Sequence, residues 1–213
     1  GLTRVGAYTR SREESEQIRA AAQLVALTLR EVGRTVRPGI TTIELDRVAE
    51  SFIRDHGGRP AFKGYRGFPN SICPSVNEEV VHGIPGPREL REGDIIGVDV
   101  GVEMNGFYGD AALTLGVGPV SAEAGRLLQV TRESLMLGIA QARPGNRVGD
   151  LSNAVQSHVE AEGYTVVRET VGHGTGSAQD AGTPDPYFGP PGRGPHRLTV
   201  PDRPDGRGVP PGT

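Results

Sequence analysis

The chain has 213 residues, 35% of them hydrophobic and 23% charged, enough to bury one sizeable core or two half-domains. A net charge of −3 leaves no electrostatic footprint for nucleic acid, and no apolar run reaches membrane-spanning length, so neither partner is expected. The single cysteine, Cys73, excludes an intrachain disulfide framework. Together with a start, Gly rather than Met, that has no charged-then-apolar leader pattern, it points to the cytoplasm.

Ser11 to Val32 reads as a helix, with a capping box at Ser11 and Glu14 and an inward stripe of Ile18, Ala22, Val25, Leu29 and Val32. After a turn at Arg37-Pro38-Gly39, a second capping box, Thr41 with Glu44, starts a helix with Leu45, Val48, Phe52 and Ile53 inward. Gly57-Gly58 ends it. Residues 59–92 are rich in Gly, Pro and aromatics and read as short strands and turns. Phe62, Tyr65, Phe68, Asn70, Cys73, Asn77 and His82 lie along this stretch as a pocket wall.

Gly93 to Leu115 reads as a β-hairpin carrying two carboxylates, Asp99 and Asp110. A loop at Glu103–Gly106 sets Val102 opposite Phe107 and Asp99 directly opposite Asp110. Two like charges side by side on an apolar ribbon are destabilising unless a cation lies between them. Oxygen pairs of this kind suit hard or borderline divalent metals, which can activate water near neutral pH. The alternative is a surface hairpin with solvated acids, and the hairpin alone leaves both readings open.

Ser121 to Ala142 and Asn146 to Glu162 read as two further helices, joined by Arg143-Pro144-Gly145 and ended by Gly163. Laying this turn on Arg37-Pro38-Gly39 also matches Leu135 with Leu29, Leu151 with Leu45, Ser157 with Ser51 and Gly163 with Gly57. An internal repeat with two copies suggests two related α-α-β halves about a pseudo-twofold axis, with a site between them. Each half leads to a histidine flanked by glycine, at Val81-His82-Gly83 and Gly172-His173-Gly174. A lone histidine is more often structural or exposed, which suits His56, His158 and His196; two His-Gly turns in related contexts set His82 and His173 apart.

Four stretches together resemble the type I methionine aminopeptidase family: Gly64-Tyr-Arg-Gly-Phe-Pro-Asn-Ser-Ile-Cys73, Ser75-Val-Asn-Glu-Glu-Val-Val-His-Gly-Ile-Pro85, Val98-Asp-Val with Gly106-Phe-Tyr-Gly-Asp110, and Glu169-Thr-Val-Gly-His-Gly174. The resemblance runs from about Ser11 to His173 and implies an α+β pita-bread fold. It implies that Asp99 chelates one metal, Asp110 bridges two and His173 ligates the second, while His82 contacts the scissile amide or the leaving amine. Phe62, Tyr65, Phe68 and Cys73, with His82, would line the site for a methionine side chain, whose thioether suits aromatic edges. The implied chemistry is metal-assisted removal of N-terminal methionine from peptides and nascent chains, with two divalent ions drawn from Mn, Fe, Co or Zn.

The resemblance weakens after His173. The family continues with a second histidine, a Glu-Pro strand and a final glutamate, whereas here Asp180 stands where the second histidine is expected. No second hairpin answers residues 93–115, and residues 189–213 are dominated by Pro and Gly. The expected organisation is a pita-bread domain over residues 1–188 with an incomplete second half, then an irregular tail over 189–213. The expectation is a truncated or frameshifted gene end. The expected function is metallo-aminopeptidase; the alternative is an inactive relative that lacks the C-terminal ligands and at most binds peptide. A covered sheet edge implies a monomer, and an open one dimerisation or aggregation.

Overall fold

The structure, a computed structural model, describes residues 10–168, 170–178, 185–186 and 188–193; Glu169, Asp180 and the segment 194–213 lie outside the described residues. Its elements are α1 (Arg12–Thr35), α2 (Thr42–Asp55), β1 (Arg59–Pro60), a 3-10 turn (Tyr65–Gly67), β2 (Ile72–Val76), β3 (Ile95–Met104), β4 (Phe107–Gly116), α3 (Ala122–Ala140), α4 (Val148–Ala161), β5 (Val171–Gly172) and β6 (Asp185–Pro186). The described residues form two compact units. One spans residues 13–128 with 175–178; the other contains most of α3, then α4, β5 and β6.

In the first unit α1 begins just after Ser11 and runs past Val32. Its buried stripe is Ala21, Leu24, Val25, Thr28, Leu29 and Val32; Ala22, expected inward, is exposed, and Ile18 is half-buried. Ala22 sits one 100° step from Ala21, enough to turn it off a stripe centred on Val25 and Leu29. The Thr28 hydroxyl is buried but donates to the Leu24 carbonyl at 2.8 Å, so it costs the core little.

The capping box expected at the start of α2 is present, with Glu44 N–H donating to Thr41 Oγ1 (3.3 Å) and Thr41 N–H to Glu44 Oε2 (2.8 Å). Gly57, at φ 80°, closes the helix, and the Gly58 N–H returns to the Ile53 carbonyl at 3.0 Å. Leu45, Ala49 and Ile53 are buried, while Val48 and Phe52 pack at the core margin.

The sheet is antiparallel throughout. β4 pairs along the whole of β3, while β2 pairs with β3 from Val100 to Ile96 and β1 with β3 at Glu103 and Val102. Alternation sends Ile96, Val98, Val100 and Val102 to one face, where they form a continuous core with Leu24, Val25, Leu29 and Val32 of α1 and Leu45, Ala49 and Ile53 of α2. Gly109 makes this close layering feasible: a Cβ there would lie 2.6 Å from the Ala22 backbone nitrogen.

In the second unit the repeat read from the sequence is visible element by element. Gly39 and Gly145 both adopt left-handed φ (87° and 93°) ahead of α2 and α4. Arg147 N–H donates to the Asp150 carboxylate at 2.7 Å, as Thr41 N–H does to Glu44. Val148, Ser152 and Val159 are buried on α4, and Val130, Ser134 and Gly138 on α3. Described residues beyond Phe188 bond to α4: Arg193 C=O accepts from Gly149 N–H and Gly192 N–H donates to Asp150. Among the described residues of this unit, the strand pairing is β5 with β6, at Val171↔Pro186 and Gly172↔Asp185.

Candidate functional site

The hairpin between β3 and β4 turns through two residues, Asn105 (φ 53°) and Gly106 (φ 80°), the left-handed pair of a type I′ turn. Met104 therefore pairs with Phe107, and the expected register is corrected: Asp99 lies opposite Ala112, and Asp110 opposite Gly101. The difference is two residues. Because strand side chains alternate, both aspartates still share a face, as diagonal neighbours within about 7–8 Å rather than a directly opposed pair. That face is the one turned away from α1 and α2.

Asp99 is half-buried there, and its Oδ1 is buried with no hydrogen-bond partner among the described residues. Burial, the charge of Asp110 and a hydrogen bond shared with it drive the Asp99 carboxyl well above the usual carboxylate range. Two carboxylates forced together in low dielectric need either a shared proton or a cation. The orphaned oxygen fits a divalent metal, since hard oxygen donors with a free lone pair are its preferred partners. Among the described residues no third His, Cys, Asp or Glu side chain joins them in a cluster able to hold a metal.

Cys73 of β2 pairs with Asp99 across the sheet and is buried, and its thiol is pushed up to about 12 by burial and by Asp99, Asp110 and Asp46. It is accordingly an inert, neutral wall beside the carboxylates rather than a nucleophile. Phe62, also buried, lies over Gly101: a Cβ on Gly101 would sit 2.5 Å from its ring. The ring thus occupies the β3 position that faces Asp110. Phe62, Cys73, Asp99 and Asp110 are brought together on one face.

Tyr65 opens the 3-10 turn after Phe62 and Phe68 follows it, with Tyr65 N–H bonded to the Phe62 carbonyl and Phe68 N–H to that of Tyr65 (both 2.9 Å). Phe68 is half-buried. Tyr65 is exposed and borders an open cleft of about 440 Å³ that Glu103 and Tyr108 also line, at the hairpin-tip end of the same face. His82 is exposed at a left-handed φ of 60°, held by its neighbour. Gly83 lies against β2 so closely that a Cβ would fall 2.0 Å from the Pro74 carbonyl oxygen, and its N–H donates to Ser75 Oγ at 3.1 Å. A glycine after His82 is therefore a steric requirement.

His173 belongs to the second unit, exposed, with Nδ1 3.1 Å from the Gly174 carbonyl. Sequence reasoning missed Asp46 and Glu50 of α2, which bond to residues 63–72 of the pocket stretch. The available signal was a pair of acids at i,i+4 among inward residues Leu45, Ala49 and Ile53.

Residues 16–200 match the model of metallopeptidase family M24. Methionine aminopeptidase 1 of Bacillus subtilis is 51% identical over 84% of this chain and 72% of its own length. The methionine aminopeptidase of Clostridium perfringens is 50% identical over 89% and 76%. The crystal structure of methionine aminopeptidase from Rickettsia prowazekii superposes with a TM-score of 0.86 at 39% identity, covering 89% of this chain and 76% of that one.

Proposed function

Since the chain belongs to metallopeptidase family M24, with the family's pita-bread fold, we infer that it is a metal-dependent aminopeptidase that removes N-terminal methionine from peptides and nascent chains. The observation that carries the reading is the carboxylate pair, Asp99 with its buried orphan oxygen beside Asp110, on the sheet face that also holds Phe62 and Cys73. Identity near 50% to named methionine aminopeptidases favours this enzyme reading over an inactive relative.

In this reading Asp99 and Asp110 are the residues that would hold divalent metal, and His173, in the motif Gly172-His173-Gly174, is the residue that would supply a further ligand. A divalent ion held there would supply Lewis-acid polarisation of a carbonyl and a more acidic water. Mn, Fe, Co and Zn are the candidate ions. Phe62, Tyr65, Phe68 and Cys73 receive the methionine side chain, with the neutral Cys73 thiol offering a soft, uncharged contact to its sulfur. His82 stands at the scissile amide or the leaving amine, where an imidazole can donate a hydrogen bond to developing charge and return a proton to the amine. Its exposure leaves the ring free to reach substrate, while Gly83 fixes its backbone. The working compartment proposed is the cytoplasm; no helix among the described residues is long and apolar enough to cross a membrane.

The test is release of free methionine from a Met-Ala-Ser peptide in the presence of Mn or Co. Release by the native chain that disappears in Asp99→Asn is the expected result. Equal rates in the two proteins would remove the carboxylate pair from the chemistry.

A further inference from the structure

Asp46 and Glu50 lie one helical turn apart on α2 and reach the same loop from below. Asp46 is buried at 3% exposure, and its carboxylate accepts from Asn70 Nδ2 (2.9 Å), Ser71 N–H (2.8 Å) and Ile72 N–H (3.0 Å). Glu50 accepts from Ser71 Oγ at 3.0 Å and, with both oxygens, from Lys63 Nζ at 3.0 and 2.8 Å. One carboxylate therefore joins the two ends of the segment from Lys63 to Ser71. That segment begins beside Phe62, contains Tyr65 and Phe68, and ends two residues before Cys73.

The loop needs an external hold. Gly64 (φ 86°), Arg66 (φ 49°) and Gly67 (φ 81°) are all left-handed, and a non-glycine residue in that region is retained only where the surroundings over-determine it. Its own bonds are short-range: Gly64 N–H to the Phe68 carbonyl, and Phe68 N–H to that of Tyr65. Bonds to ionised carboxylates are among the stronger ones available.

We propose that Glu50, which holds both ends of the 63–71 loop, and Asp46, which holds its C-terminal end, are positioning residues that set the shape of the pocket that takes the substrate's N-terminal side chain. The proposal rests on the aminopeptidase reading above. Lys63 beside Glu50 is the main influence on its acidity and, with Arg54 and Ser71, brings the carboxyl down to about 2 against the effect of burial, so Glu50 is ionised throughout the working range of pH. Neither residue touches the reacting atoms, so loosening the clamp alters binding of the side chain rather than the chemical step.

The experiment compares native chain, Glu50→Ala and Lys63→Arg by steady-state cleavage of Met-Ala-Ser with Mn and by amide hydrogen exchange. Glu50→Ala is expected to raise KM roughly fivefold or more with kcat within about twofold. Exchange at Gly64 and Phe68 should accelerate by about tenfold, while β3 amides keep their native rates. Lys63→Arg, which keeps a cation at the clamp, should stay near native in both measurements. Unchanged KM and exchange in Glu50→Ala overturn the proposal, as does a fall in kcat at constant KM. Faster exchange across β3 as well makes Glu50 a general stabiliser and equally overturns it. If the native chain releases no methionine, the functional reading fails by itself, and the exchange data still decide whether the clamp exists.

Discussion

A buried carboxylate oxygen without a donor destabilises the folded chain until a proton or a cation meets it. Asp99 Oδ1 is such an atom, and Asp110 beside it adds like-charge repulsion. In metal-free protein at neutral pH, Asp99→Asn should therefore raise Tm by roughly 2–4 °C, the scale of about 1 kcal/mol for a chain of this size. The native chain should gain stability on adding Mn, by the mass action of a ligand that binds the folded state, and the variant should lose that gain. Thermal unfolding with and without metal reads both; a variant less stable without metal, yet still stabilised by it, would place the cation elsewhere. At this scale the sequence was partly legible. Asp99 and Asp110 stood out because acids are poorly suited to an apolar strand pattern. Asp46 did not, because an acid on an amphipathic helix reads as solvated, and the donors that bury it lie 24 to 26 residues further on.

The hairpin shows where local signals suffice. Asn105-Gly106 is a strong two-residue turn signal, and reading a four-residue loop around it misplaced the pairing by two positions. The two faces were still identified correctly, since period-2 alternation is independent of where the turn is drawn, provided the error is even. The helices were legible through caps and spacing, with an error at the margin, at Ala22. Close approach between elements was not legible. Nothing local to Gly109 says that α1 crosses it, yet a methyl group there would overlap the Ala21–Ala22 backbone. Gly109→Ala should cost about 1–3 kcal/mol by forcing helix and strand apart. Urea unfolding measures this, and a loss under about 0.5 kcal/mol, the range of ordinary surface substitutions, would mean that α1 moves freely over β4.

For the molecule as a whole, the contiguous apolar core from Leu24 to Val117 lies in the first compact unit. In the second, Leu135, Met136, Leu137 and Ile139 of α3 are exposed. Stability should therefore be uneven. Native-state hydrogen exchange is expected to show β3 amides opening only with global unfolding and α4 amides opening at lower free energy; equal protection would indicate one cooperative block. The repeated Arg-Pro-Gly turns made the doubled helix pair readable, because a left-handed glycine before a helix leaves a residue signature.

The type I′ turn also constrains how lineages carrying this hairpin can change. An insertion or deletion of one residue within the paired stretch between Asp99 and Asp110, with no bulge or loop to absorb it, would turn the β4 side chains over: Asp110 would face the helices, and the glycine that admits α1 would be replaced by a bulkier neighbour. Changes of two residues would keep both aspartates on their face. Length variation within the paired strands should thus survive selection in even steps, an inheritance rule set by the pleat of the strand rather than by the chemistry it supports.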